Sequence, residues 1–197
     1  VEGASLPGAG ITAVQALRDA RLATGKRVLV VGAAGGVGSF AVHLAKDAGA
    51  QVTAVASTDG QAFLARLAPD RTIDYQREDW KALGERFDIV FDASGTSTFP
   101  ACRRLLAPGG TYVHTLPNAA LFGWSWWLRL TAKERVMPVM ERPNLADLET
   151  LVELASSGRL KSVVTRVGRP EEVPELQREM AAGHNRGKIV VRFAPEP

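Results

Sequence analysis

Two rhythms alternate along the apolar positions of this chain. After the breaker cluster Pro7-Gly8-Ala9-Gly10, Ile11, Val14 and Leu17 recur at helical spacing with Ala13, Ala16 and Ala20 beside them, until Thr24-Gly25-Lys26 ends the pattern. Val28-Leu29-Val30-Val31 is then an unbroken, mostly β-branched run, the mark of a strand covered on both faces in a parallel sheet. A glycine turn leads into a helix over 37–47, closed by Gly49. The spacing predicts a second strand over 51–56, a helix over 61–67 and a short third strand over 72–75.

The second half repeats the alternation without repeating the sequence. Strands are predicted over 87–91, 111–115, 135–140, 162–167 and 188–193, with helices over 99–106, 145–156 and 171–182. Pro108-Gly109-Gly110 reads as a turn, and Pro138 confines its strand to a sheet edge or a bulge. Residues 116–133 show no clear period; Trp124, Trp126 and Trp127 crowd there, as an apolar wall for a ligand or as a cap on the sheet. The alternation of strand and helix predicts one α/β domain over 1–197, a Rossmann-type doubly wound parallel sheet with helices on both faces.

Composition narrows the function classes. Of the 197 residues 46% are hydrophobic and 23% charged, which excludes disordered, collagenous and coiled-coil chains. The net charge of +3 comes from scattered Lys and Arg residues, so neither nucleic acid nor membrane is expected as a partner. Residues 28–45 carry no charge over a length near that of a membrane span, but Gly32, Gly35, Gly36 and Gly38 break the run, and a strand, turn and buried helix explain it better. No secretory signal opens the sequence, which begins with Val rather than Met and reads as a segment of something longer. Cys102 is the single cysteine, which excludes an intrachain disulfide and a Cys-based structural zinc site within the chain. Cys102, beside Arg103 and Arg104, reads as a core thiol, and His43, His114 and His184 lie too far apart in sequence to suggest a metal pair.

The chemistry concentrates in Gly32-Ala33-Ala34-Gly35-Gly36-Val37-Gly38, between a predicted strand and a predicted helix. Glycines there permit a tight turn and let the backbone approach a pyrophosphate resting on the helix N-terminus. Residues 29–38 resemble the nucleotide-binding turn of the zinc-independent, quinone-oxidoreductase-like branch of the medium-chain dehydrogenase/reductase superfamily. Residues 6–13, 87–95 with 105–110, and Gly183-His184-Asn185-Arg186-Gly187-Lys188 resemble further segments of that branch in the expected order.

The resemblance implies an oxidoreductase that transfers hydride from a dinucleotide to a quinone, enone or enoyl-type substrate, using NADP(H) rather than NAD(H), without zinc, in the cytoplasm. It implies that Gly35, Gly36 and Val37, with Ala34 beside them, hold the pyrophosphate. Ser94, Gly95, Thr115 and Leu116 would line the nicotinamide side, with Thr12 near its amide, and Asn185, Arg186 and Lys188 would close over the cofactor. Ser57 and Thr58 offer hydroxyls where an NAD-binding turn would carry an acidic residue, and Tyr75 stands near the expected 2′-phosphate. Asp59 nearby, and Gly60 where a lysine is common, depart from the pattern.

The resemblance further implies an absent GroES-like domain that carries most catalytic groups, so no catalytic residue is assigned and the chain alone is expected to bind nucleotide without useful turnover. A homodimer through the strand at 135–140 is also expected. Alternatives are an embedded enoyl reductase of a polyketide synthase and a non-catalytic nucleotide-binding domain. A short-chain dehydrogenase is excluded because Tyr75 and Tyr112 lack a lysine four residues on, and Ser57 stands where a methyltransferase would carry an acid.

Overall fold

The computed structural model describes residues 1–131, 133–161, 163–183 and 185–193, so His184 and Ser162 lie outside the described residues. Six strands, β1 (Arg27–Val31), β2 (Gln51–Ala56), β3 (Arg71–Asp74), β4 (Phe87–Asp92), β5 (Leu106–His114) and β6 (Arg135–Pro138), form one sheet in the order β3-β2-β1-β4-β5-β6, and every pairing is parallel. Strand order reverses between β1 and β4, which opens a crevice at their C-terminal ends. Side chains alternate across the sheet as the unbroken apolar runs require: Val28 and Val30 enter one core, Leu29 and Val31 the other. Helices α1 (Ala9–Asp19), α2 (Gly36–Asp47), α3 (Gln61–Leu67) and α6 (Leu145–Ser156) cover the first core, and α4 (Phe99–Cys102) and α5 (Ala119–Thr131) the second.

Several elements differ from the sequence reading. The helix expected over 99–106 stops at Cys102, continues as a 3-10 turn over Arg103–Leu105, and gives way to β5 at Leu106. Pro108-Gly109-Gly110 is no free turn but an irregularity inside β5, where the register with β4 passes from Phe87↔Leu106 to Ile89↔Thr111. Gly110 fits there because a Cβ would stand 2.9 Å from Ala107 O and 3.1 Å from Phe87 O and Asp88 O. The last two strands, β7 (Val164–Gly168) and β8 (Lys188–Val191), form a separate two-stranded parallel sheet, with α7 (Val173–Ala181) between them in sequence.

The illegible segment is helix α5. Leu121, Leu128 and Trp124 turn toward the sheet, where the Trp124 ring lies 5.3 Å from that of Phe99, while Phe122, Trp126, Trp127 and Leu130 face out. Apolar residues on both sides erase the periodic signal. Strand β6 ends at Pro138 rather than residue 140, on the sheet edge. The Val139 N–H donates to His114 O, so the missing N–H of Pro138 falls on the open side and costs no ladder bond.

Buried polar groups fasten the helices. The carboxylate of Asp147 on α6 accepts from Gln15 Nε2 (2.7 Å) and the Arg18 guanidinium (2.6 Å) of α1, and from Asn144 Nδ2, whose own Oδ1 caps α6. Burial opposes its charge, but these donors outweigh burial and hold its pKa below the usual range.

His43 on α2 has no such partner. It is buried, its Nε2 finds no hydrogen bond, and burial with the nearby Lys161 charge lowers its pKa from 6.5 to about 4. The fold therefore accepts only the neutral imidazole, and the unfolded chain takes up the proton first as pH falls. Stability due to His43 is present above pH 6.5, declines between 6.5 and about 4, and levels off below. Denaturant unfolding should show a loss of roughly 2 kcal/mol from this group between pH 7 and pH 5, and His43→Leu should flatten that part of the pH profile.

Candidate functional site

The crevice at the strand C-termini is a cleft of about 880 Å³ lined by Gly32, Ala34, Gly35, Ser57, Tyr75, Ser94 and Arg186, among others. Its floor is the turn from β1 to α2. Gly32 takes φ +73°, and a Cβ there would lie 2.8 Å from that of Ser94. A Cβ on Gly38 would lie 2.2 Å from Gly32 O, so only glycine lets α2 pack this close to the strand end. Gly35 is the N-cap in extended backbone, and no side chain caps α2. The helix thus presents its first N–H groups to the cleft, an arrangement suited to an anion.

One side of the cleft is built at the end of β2. Arg186 reaches across from the segment before β8 and donates to Ser57 Oγ (3.1 Å) and to the carbonyls of Gly183 and Asn185. Asp59 lies 3.9 Å from the guanidinium, whose Nε is buried without a hydrogen-bond partner. The Thr58 hydroxyl is turned away, donating to Asp74, while Tyr75 is half-exposed on the cleft wall.

The segment carrying Arg186 is clamped to the turn. The Gly187 N–H donates to Ala34 O (2.8 Å) and the Lys188 N–H to Val163 O (2.7 Å). Gly187 has φ +58°, and a Cβ there would lie 2.1 Å from Val163 O. The Lys188 side chain lies over Gly36, and burial lowers its pKa despite the opposing pull of Glu141. Glu141 in turn accepts from the Thr12 hydroxyl (3.1 Å).

Opposite, the loops leaving β4 and β5 meet. Asp92, fully buried, accepts from the N–H groups of Ser94, Gly95 and Ser97 and from the hydroxyls of Ser94 and Ser97. Burial opposes its charge, but those donors and the nearby His114 keep its pKa below the ordinary value. Thr115 bonds back to the Asp92 and Ala93 carbonyls, and Leu116 packs over Gly95.

Of the residues singled out in the sequence, Ala34, Gly35, Ser57, Tyr75, Ser94, Asn185 and Arg186 line the one cleft. Gly36 and Val37 form the adjoining first turn of α2; Gly95, Thr115 and Leu116 lie beside Ser94; Thr12 and Lys188 flank the turn. The hydroxyls of Thr58, Thr12 and Thr115 are engaged by Asp74, by Glu141 and by the Asp92 and Ala93 carbonyls. Sequence reasoning missed Asp92 and the wall over 76–81, including Trp80. A charged residue ending an apolar strand was the available signal for Asp92. Cys102 is buried, and burial raises its pKa, as a core thiol requires. Among the described residues no group of three or more His, Cys, Asp or Glu side chains could hold a metal ion.

Comparison with known proteins agrees with this geometry. The model of the zinc-binding dehydrogenase family matches residues 67–191. The chloroplast envelope quinone oxidoreductase homolog of Arabidopsis thaliana is 32% identical over 202 residues, covering 96% of this chain and 61% of that protein. A mitochondrial NAD(P)H oxidoreductase of Mus musculus is 31% identical over 96% of this chain and 55% of its own length. The quinone oxidoreductase structure from Coxiella burnetii superposes with a TM-score of 0.86 at 31% identity, over 97% of this chain and 60% of that one. The chain thus spans well under two thirds of these relatives. Matched by the family model over most of its length and by these relatives from end to end, the chain belongs to the zinc-binding dehydrogenase family, in the quinone-oxidoreductase-like branch of the medium-chain dehydrogenase/reductase superfamily.

Proposed function

We propose that this chain is the nucleotide-binding half of an NADPH-dependent reductase that passes hydride to an electron-poor carbon of a quinone, enone or enoyl-type substrate. The observation that carries this reading is the cleft itself, where an uncapped helix N-terminus, a glycine-rich turn and a cationic clamp converge on one crevice. The nicotinamide, when bound, supplies the hydride. The chain's own groups bind and orient it: the N–H groups of Gly36 and Val37 face the pyrophosphate, and Lys188 adds a positive charge beside them. Ser94, Gly95, Thr115 and Leu116 shape the nicotinamide end, with Thr12 near its amide.

The preference for a 2′-phosphate rests on Arg186. No acidic residue ends β2, and the guanidinium already donates to Ser57 Oγ, with Tyr75 on the adjoining wall. Asp59 opposes, but at 3.9 Å and largely exposed it is the weaker influence. This supports NADPH over NADH. Among the described residues no helix is long and apolar enough to cross a membrane. As a separate proposal, resting on no observation of the structure, the protein is cytoplasmic. We further propose a homodimer in which the open edge of β6 meets its counterpart, since an exposed edge strand favours pairing with a second copy.

Three measurements test these readings. Arg186→Ala should weaken NADPH binding by about 10- to 100-fold and leave NADH almost unaffected, the expected share of a charge-assisted contact; tighter binding of NADH than NADPH by the unaltered chain would sink the preference. Assayed with NADPH against simple quinones and enones, the chain alone should bind nucleotide yet turn over negligibly, because misalignment of donor and acceptor by about 1 Å costs on the order of 100-fold; rates matching those of a full-length reductase would refute this. Light scattering should return twice the chain mass, and a monomer at high concentration would rule out the dimer.

A further inference from the structure

Behind the cleft wall at Ala93 and Ser94 lies one buried charged group. Asp92 at the end of β4 is wholly inaccessible, yet its carboxylate collects five donors. Oδ1 accepts from the Ser94 N–H (3.0 Å), the Ser94 hydroxyl (2.7 Å) and the Gly95 N–H (2.8 Å). Oδ2 accepts from the Ser97 N–H (2.7 Å) and the Ser97 hydroxyl. Because that hydroxyl proton is committed to the carboxylate, Ser97 Oγ accepts the Tyr112 hydroxyl at 3.0 Å. The loop from 93 to 97 is therefore wrapped around a single anion.

The loop leaving β5 is tied to the same residue. Thr115 sends its N–H (3.2 Å) and hydroxyl (3.3 Å) to the Asp92 carbonyl. His114 Nδ1 accepts the Leu116 N–H at 3.1 Å, and its Nε2 faces Asp92 Oδ2 at 3.8 Å. Leu116 then covers Gly95 so closely that a Cβ on that glycine would stand 2.4 Å from Leu116 Cδ1. On the cleft side, Ser94 abuts Gly32 of the glycine turn. The Asp92 carboxylate thus shapes the loop from 93 to 97, the Asp92 carbonyl anchors the loop after β5, and Ser94 joins the first loop to the turn.

We propose that Asp92 is a positioning residue that holds the loops after β4 and β5 in the single shape able to receive the nicotinamide half of the cofactor, while the adenosine half is held independently at the end of β2. This rests on the reading of the cleft as a dinucleotide site. An acceptor-only group is required: in Asp92→Asn, an amide of the same shape points N–H groups at the backbone N–H donors of Ser94 and Gly95 or at that of Ser97.

Titration calorimetry with NADPH and with 2′,5′-ADP, which carries only the adenosine half, separates the two ends. The unaltered chain should bind both, NADPH more tightly. Asp92→Asn should lose at least about tenfold in NADPH affinity and keep its 2′,5′-ADP affinity within about twofold. Equal losses for both ligands would reduce Asp92 to a general stabiliser, and an undiminished NADPH affinity, or equal binding of both ligands by the unaltered chain, would likewise overturn the proposal. If the unaltered chain bound neither ligand, the dinucleotide reading would fail and this inference with it. Should Asp92→Asn not fold, Ser97→Ala decides: it keeps the carboxylate and the backbone donors, and should show the same selective loss by a smaller factor. Unchanged NADPH affinity in Ser97→Ala would then count as refutation.

Discussion

Everything at the nucleotide end of this domain depends on a contact between two stretches of backbone that leaves no space for a side chain. Gly38 approaches the Gly32 carbonyl so closely that a Cβ would overlap it at 2.2 Å. That approach seats α2 directly on the end of β1 and aims its N-terminus into the crevice. Gly32, in left-handed backbone, also leaves room for Ser94 from the neighbouring strand end. A larger residue at either position would displace the helix, and the anion-binding N–H groups would move with it.

Around this contact the fold treats buried polar groups in two ways. Asp92 and Asp147 keep their charge because several donors replace the lost water; Asp147 thereby links helices distant in sequence, and Asp92 shapes the loop that directly follows it. His43 finds no partner and is kept neutral instead. A compensated carboxylate organises its surroundings, while an uncompensated imidazole merely tolerates them. This difference explains why the acids sit at junctions and the histidine within a helix face.

Much of this was legible in the sequence for a physical reason. A parallel strand buried on both faces is a largely apolar run, so 28–31, and 51–56 with only Gln51 and Thr53 polar, announced β1 and β2, and the glycines between β1 and α2 announced the turn. The failures are equally physical. Helix α5 carries apolar residues on both sides, which removes its period. The irregularity at 108–110 looked like a free turn because proline and glycine mark both. The meeting of Arg186 with Ser57 joins residues 129 positions apart, which no local pattern encodes; the donors gathered by Asp92, by contrast, follow it within five residues, but Ser94, Gly95 and Ser97 read equally well as an ordinary turn.

The clamp at Gly187 carries a consequence for how the molecule comes into being. Its N–H bonds to Ala34, so the cradle begun in the first forty residues is completed by a segment about 150 residues later. A ribosome emits these parts in order, and the early turn must wait, its helix end facing water, until the late segment has cleared the exit tunnel. Nascent chains halted before residue 186 would lack the Arg186 contact to Ser57. The pocket wall that carries Arg186 is therefore a late product of synthesis, formed only when residues 183–188 can reach back to a turn made about 150 residues earlier.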